Sequence, residues 1–388
     1  LDQILQQAQE PRRTRPPHFP ALDGIRLLAV GFVILHHITS GSSSSTLLHL
    51  IGLQRGNGLG PPLFFVLSGA LLTAVIDLAR NTENRYRNFL LRRVLRIFPL
   101  YFGYLLLATA VTFLVTGSGP QQLWVYVLFS QNIFVHTAEQ TGSVLPTYHL
   151  WTIAVQDQFY LVWPLLLWLC KSIRQMRILC SSGIAVCFLA RVLMLSSPLP
   201  SELLIRSLPA VAGCMCLGGL LALELREPTR FTPILRRSLA PLSVACLIWM
   251  WRGLDFTSTI GALVGYQLVG LTCAALISSA MQRDSLVARV LGSHYFAAGG
   301  KNLAFGIYML HPFVLDLTMR HLPFGSKLMR LAIFLVATLA LAALSSRFFE
   351  RPFLQAKIGR PKAPTSEAPA QQVHPTSAPL RATHPLSS

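Results

Sequence analysis

Apolar runs long enough to cross a bilayer recur along almost the whole chain, and this recurrence limits what it can fold into more than any other feature. A transmembrane helix needs about 17 to 25 mostly apolar residues. Ten segments qualify: 22–40, 61–79, 98–116, 150–170, 178–196, 207–224, 238–254, 258–280, 303–319 and 328–348. Residues 121–135 are an eleventh apolar stretch, but a short one. The chain is therefore predicted to be all-α: a polytopic transmembrane helix bundle of about ten spans plus one short apolar segment that does not fully cross. Composition agrees. Of 388 residues 52% are hydrophobic and only 12% charged, against roughly 25% charged in soluble domains.

The formal net charge is +18, from 33 Lys and Arg against 15 Asp and Glu. In a soluble chain this would suggest nucleic acid. Here the basic residues sit between apolar segments, where positive-inside topology accounts for them, and no nucleic-acid partner is expected. With 121–135 not crossing and both termini cytoplasmic, the cytoplasmic segments carry 25 Lys and Arg and the outer loops 6, with Arg26 and Arg191 inside spans. Full crossing would move Lys171, Arg174 and Arg177 outside. The expected location is the cell (inner or plasma) membrane.

Residues 1–18 read as a cytoplasmic segment, 19–360 as the membrane domain and 361–388, rich in Pro, Ala, Ser and Thr, as a disordered tail. The start at Leu1 suggests truncation or processing. Arg12-Arg13-Thr14-Arg15 before Leu27–Leu35 has the outline of a signal peptide, but no small-residue cleavage site follows, so a retained first span is expected. The seven cysteines lie in or beside apolar runs without metal-ligand spacing and read as small buried hydrophobes; no metal site is expected. Phosphate-cradling glycine loops, H-E-x-x-H and C-x-x-C are absent, which disfavours ATP-driven transport by this chain alone and thiol redox chemistry.

A charge at mid-membrane costs about 2.5–3.5 kcal/mol on insertion scales, so the few polar residues inside spans are the informative ones. Asp23, Arg26 and His37 belong to the first span. Arg26 and His37 are about three helical turns apart, roughly 16 Å of rise, on nearly one face. His37 can serve there as a general base; the bland alternative is a histidine paired within the bundle and an arginine that reaches the interface. His36 points elsewhere and is the weaker candidate. Ser68-Gly69 permits close helix approach; Ser68 is not in a G-x-S-x-G elbow. Arg92, Arg93 and Arg96 meet the membrane where the third span begins, with Arg92 and Arg96 on one face. They can hold phosphates or serve as a plain cytoplasmic anchor. Gln156, Asp157 and Gln158 in succession require a pocket or a polar seam. His311 lies in a late span, and Glu350 follows the last one, where it can neutralise an arginine.

In order, these blocks resemble the acyltransferase-3 family of integral membrane acyltransferases, over about residues 19 to 354. Leu22-Asp23-Gly24-Ile25-Arg26 with His37 is similar to L-D-G-x-R followed by histidine; Leu63 to Gly69 to F-F-x-L-S-G; Arg92 to Pro99 to R-R-x-x-R-I-x-P. Trp151 to Tyr160 resembles W-[ST]-[LI]-x-V-E-x-Q-F-Y, Tyr308 to Pro312 the Y-x-x-H-x-P block with its proline one place earlier, and Phe349 to Phe353 F-E-R-P-F. The resemblance implies transfer of an acyl group, usually acetyl from acetyl-CoA, to a hydroxyl, mostly of carbohydrates, with no permanently bound cofactor. It implies that His37 is the catalytic histidine, Arg26 its motif partner, Arg92, Arg93 and Arg96 the donor-binding arginines and Glu350 an important terminal acid, with Asp23, Ser68, Tyr160 and His311 in the motifs around them. The chain departs from the pattern at Gln156, where the family usually has Glu; Asp157 follows, about 100° round the helix. The expected mechanism is direct attack, with His37 deprotonating the acceptor hydroxyl and Asp157 or Gln156 orienting the imidazole; a covalent acyl-histidine is the variant. The alternatives are a transporter or flippase using the same polar residues as a path, and a catalytically inactive relative.

Overall fold

A computed structural model of the chain describes residues 19–40, 58–79, 85–134, 142–252, 255–282, 284–321 and 326–355. The expected cytoplasmic segment 1–18 and tail 361–388 lie outside these residues. The described residues are helical, with no strand among them. Long helices α1 (Pro20–Ser40), α2 (Gly60–Leu78) and α3 (Arg85–Thr116) come first, followed by the short α4 (Leu123–Val127) and α5 (Gln131–Phe134). A 3-10 turn at Tyr148–Leu150 leads into α6 (Trp151–Leu169), then α7 (Ile173–Leu195), α8 (Leu203–Arg206) and α9 (Leu208–Arg226). Next come α10 (Phe231–Arg237), α11 (Leu239–Trp251) and, after a π turn at Gly261–Gly265, α12 (Tyr266–Ala280). The chain continues through α13 (Leu286–Leu291), α14 (His294–Asn302), α15 (Ala304–Asp316) and α16 (Lys327–Leu344). A π turn at Ser345–Glu350 then leads into α17 (Arg351–Gln355).

All ten predicted segments contain helix, but the count of ten apolar spans is not confirmed. Seven helices among the described residues are long and apolar enough to cross a membrane, eight if α10 and α11, bent by 50°, form one span. Helix α6 misses because Gln156, Asp157 and Gln158 lower its hydropathy, and α15 because its apolar helix, Ala304–Met319, is short. The 121–135 stretch is not one helix. Left-handed backbone at Gln122 and Phe129 divides it into α4 and α5, each rising less than about 10 Å.

Small residues set the closest helix crossings. A Cβ on Gly69 would strike the Met215 carbonyl, and one on Gly218 the Val66 carbonyl, so α2 and α9 meet backbone to backbone. Trp163 Nε1 donates to Thr73 Oγ1 at 2.9 Å and ties α6 to α2. The outward faces of the peripheral helices are apolar, as at Leu114, Val186, Leu193 and Val336, which suits contact with lipid chains.

Some membrane-buried polar groups are consumed by packing. Tyr101 donates to the Tyr126 carbonyl at 2.8 Å, and Gln131 Nε2 donates to the Leu150 carbonyl at 2.9 Å. Gln158 Nε2 donates to Asn132 Oδ1 and to the Phe129 carbonyl, both at 2.8 Å. One member of the Gln156-Asp157-Gln158 trio thus belongs to a seam that anchors α4 and α5. Arg191, fully buried in α7, donates to the Ala210 and Ala262 carbonyls and lies 3.6 Å over the Tyr266 ring.

Candidate active site

The first turn of α1 is pressed against its neighbours. A Cβ on Gly24 would strike the Leu291 carbonyl, and one on Gly300 the Asp23 carbonyl. This close approach, which glycine alone permits, buries Asp23 and places it in an ion pair with Arg26 one turn on. Around that pair the structure gathers residues from three other segments. The Arg93 guanidinium lies 4.4 Å over the Tyr160 ring and 5.6 Å from that of Phe89. Arg26, Arg93 and Arg96 are near enough to act on one another electrostatically, with Asp23 and Tyr160 in the same field. Asp157 interacts with Arg93, and Glu350 with Arg96 while accepting from the Ser345 hydroxyl at 3.1 Å. Arg92, on the same helix, is exposed.

A cleft of about 530 Å³ lies beside these groups, lined by His294, Tyr295, Gly299, Asn302, Arg347 and Arg351. Gly299 faces the Leu27 side chain, so the cleft adjoins the first turns of α1.

The second group sits further along α1. His37 is half-buried, and its Nδ1 lies 2.9 Å from Nε2 of His311 on α15. The two rings meet edge to edge and nearly coplanar, with centroids 5.0 Å apart and planes 16° apart. His311 is fully buried, and its Nδ1 donates to the carbonyls of Tyr308 at 2.8 Å and Ile307 at 3.1 Å. Tyr148 packs edge-on to His37, and His149 to His311, Tyr308 and Tyr104. The Tyr308 hydroxyl bonds Thr152 Oγ1 and the His149 carbonyl, clasping the Tyr148–Leu150 turn to α15. In that turn, burial holds the His149 imidazole down to about 3, with the proximity of His37 acting in the same direction. Among the described residues no group of three His, Cys, Asp or Glu side chains is arranged to hold a metal ion.

The sequence-predicted residues thus fall into two places. Asp23, Arg26, Arg93, Arg96, Tyr160, Asp157 and Glu350 form the basic cluster; His37 and His311 meet on the second site. Asp157, expected beside the imidazole, interacts with Arg93 instead, and the side chain in contact with His37 Nδ1 is His311. Gln156 and Ser68 are half-buried. Tyr148 and His149 were missed, because they precede an apolar run and read as its edge.

The chain matches the family described as an acyltransferase domain over residues 19–347. It is 25% identical over 374 residues to the peptidoglycan O-acetyltransferase OatA of Listeria monocytogenes, covering 86% of this chain and 56% of that protein. It is 24% identical over 365 residues to YrhL of Bacillus subtilis, provisionally named a peptidoglycan O-acetyltransferase, covering 86% of this chain and 55% of that one. The chain therefore spans about half the length of these relatives. No solved structure matches it. With six motif blocks in order and a family match over most of its length, the chain belongs to the acyltransferase-3 family of membrane acyltransferases.

Proposed function

We propose that the chain is a membrane-bound O-acyltransferase that moves an acyl group, acetyl in the first instance, from acyl-CoA to a hydroxyl of a carbohydrate acceptor. The glycan of peptidoglycan is the leading acceptor class, because two relatives carry that substrate in their names. The observation that carries the reading is the polarity of α1. Near its start Arg26 joins Arg93 and Arg96 of α3, and eleven residues after Arg26, about 16 Å along the same axis, the helix carries the half-buried His37.

The donor's phosphates bind at Arg93 and Arg96, supported by Arg26, with Arg92 contributing from the exposed flank. The neighbouring cleft, with Tyr295 beside Arg347 and Arg351, suits the nucleotide end of the same donor. Its thioester arm then runs along α1 towards His37. His37 takes the proton of the acceptor hydroxyl as the oxygen attacks the thioester carbonyl. The tetrahedral intermediate collapses to the ester, the CoA sulfur leaves, and the proton on His37 is passed to the thiolate or to solvent. Glu350, opposite Arg96, keeps the arginine cluster from holding an uncompensated charge when the donor departs. The arginine end faces the cytoplasm of a cell-membrane protein, and both termini lie on that side.

The test is transfer by the purified protein in nanodiscs, using labelled acetyl-CoA and peptidoglycan fragments. CoA release that depends on acceptor, with label in an alkali-labile ester, is expected. Absence of donor binding together with gradient-driven movement of a glycan or lipid would replace the enzyme reading with a transporter.

A further inference from the structure

We infer that His311 is a positioning residue that locks His37 in the tautomer whose Nε2 lone pair is bare, and that Pro312 is what equips His311 to do so. The inference rests on the reading of His37 as the base.

The reasoning starts at the proline. In a helix the Tyr308 carbonyl would accept from the backbone N–H four residues on, at position 312. Proline has no N–H, so that carbonyl is left open inside the bundle. His311 Nδ1 fills the vacancy at 2.8 Å. A carbonyl oxygen only accepts, so His311 carries its proton on Nδ1. A neutral imidazole has one N–H, which leaves His311 Nε2 as an acceptor.

That acceptor lies 2.9 Å from His37 Nδ1. His37 must then donate from Nδ1, and its single proton is accounted for. Its Nε2 is left with a free lone pair and no hydrogen bond to any described residue. With both rings neutral, the proton order follows from geometry alone. The clasp of Tyr308 on the His149 carbonyl and Thr152 fixes the ring that does the fixing.

During turnover Nε2 of His37 gains the acceptor's proton while Nδ1–H stays bonded to His311. His311 orients the imidazolium and gives it an acceptor, but takes no proton. The role resembles that of the orienting carboxylate in hydrolytic triads, with a neutral ring in its place.

Four variants in nanodiscs test this: His37→Ala, His311→Phe, His311→Gln and Pro312→Ala. Donor binding and melting midpoint are measured beside kcat and KM. His311→Phe is expected to lower kcat about 10- to 100-fold, less than the 10²–10⁴ a general base supplies, with the donor KM within about 2-fold. His311→Gln, whose amide oxygen can accept from Nδ1–H, is expected to recover part of kcat. Pro312→Ala, which returns a backbone donor to the Tyr308 carbonyl, is expected to lower kcat several-fold. A folded His311→Phe with unchanged kcat, beside an inactive His37→Ala, would overturn the positioning role and leave the base. Equal losses in His311→Phe and His311→Gln that track the melting midpoint would reduce the role to packing and also overturn it. Full turnover by His37→Ala would remove the base itself.

Discussion

His37 Nδ1 lies 2.9 Å from His311 Nε2, joining α1 to α15 across 274 residues of chain. The contact needs three conditions at once: a histidine three turns beyond Arg26 on α1, a helix crossing that brings α15 alongside, and a ring on α15 whose other nitrogen is already engaged. Ring planes 16° apart with centroids 5.0 Å apart set the two rings edge to edge and nearly coplanar, as an in-plane N–H···N bond requires. A base fixed in this way pays little reorganisation when it accepts a proton, which is what places it in reach of catalysis rather than of structure alone.

The backbone crossing of α2 and α9 leaves no room at Gly69, where a Cβ meets the Met215 carbonyl. Gly69→Ala is expected to destabilise the bundle by about 1–3 kcal/mol, as overpacking does, and to lower the melting midpoint in detergent. Gly31 is the control, since a Cβ there meets nothing within 4 Å. Gly31→Ala should be neutral or stabilising by up to about 1 kcal/mol.

The Asp23–Arg26 pair is partly withdrawn from solvent on both sides. Asp23→Asn leaves a cation beside Arg93 and Arg96 without its carboxylate. A loss of about 3 kcal/mol is expected, as when one partner of a buried pair is removed. Asp23→Asn combined with Arg26→Gln should recover much of the melting midpoint without recovering activity. An additive loss in the double variant would count against coupling of the pair.

The arginines are not equivalent, although sequence alone groups them. Arg93 stacks on Tyr160 and interacts with Asp157, whereas Arg92 is exposed. Hydrogen bonds to charged groups are worth about 1.5–3 kcal/mol. Arg93→Ala is therefore expected to weaken acetyl-CoA binding by about 10-fold or more, and Arg92→Ala by less than about 3-fold. Calorimetry on the nanodisc-embedded protein would register the difference.

His149 is held neutral far below the ordinary imidazole range. An unfolded chain protonates this residue below about pH 6.5 while the folded one does not. The folded state therefore loses stability as pH falls from about 6.5 towards 3, with a slope of up to about 1.4 kcal/mol per pH unit from this one proton. His149→Phe should flatten the fall in melting midpoint over that window and leave the midpoint at pH 8 less affected.

The first turns of α1 were legible in the sequence because their chemistry is local. Asp23, Gly24 and Arg26 lie within one turn, and the stripe to His37 follows from helical periodicity. The arginines of α3 were legible as a group, but which of them turns inward depends on where Tyr160 and Asp157 arrive from α6. The pairing of His37 with His311 was not legible, since no periodicity links residues 274 positions apart. Asp157 drew the expectation because it is the one acid in that stretch of α6, yet Arg93 provides the opposite charge nearest to it. The count of ten spans is not confirmed, for a related reason. Helix α6 carries a polar trio, one member of which anchors α4 and α5, and α15 is short, so neither has the apolar length of the seven candidate spans.

The most direct test of the account is acetyl transfer by wild type and His37→Ala, each reconstituted in nanodiscs with donor binding measured on the same samples. The account predicts that His37→Ala binds acetyl-CoA within about 2-fold of wild type and loses about 10²–10⁴ in turnover. A folded His37→Ala that transfers acetyl groups at the wild-type rate would contradict it.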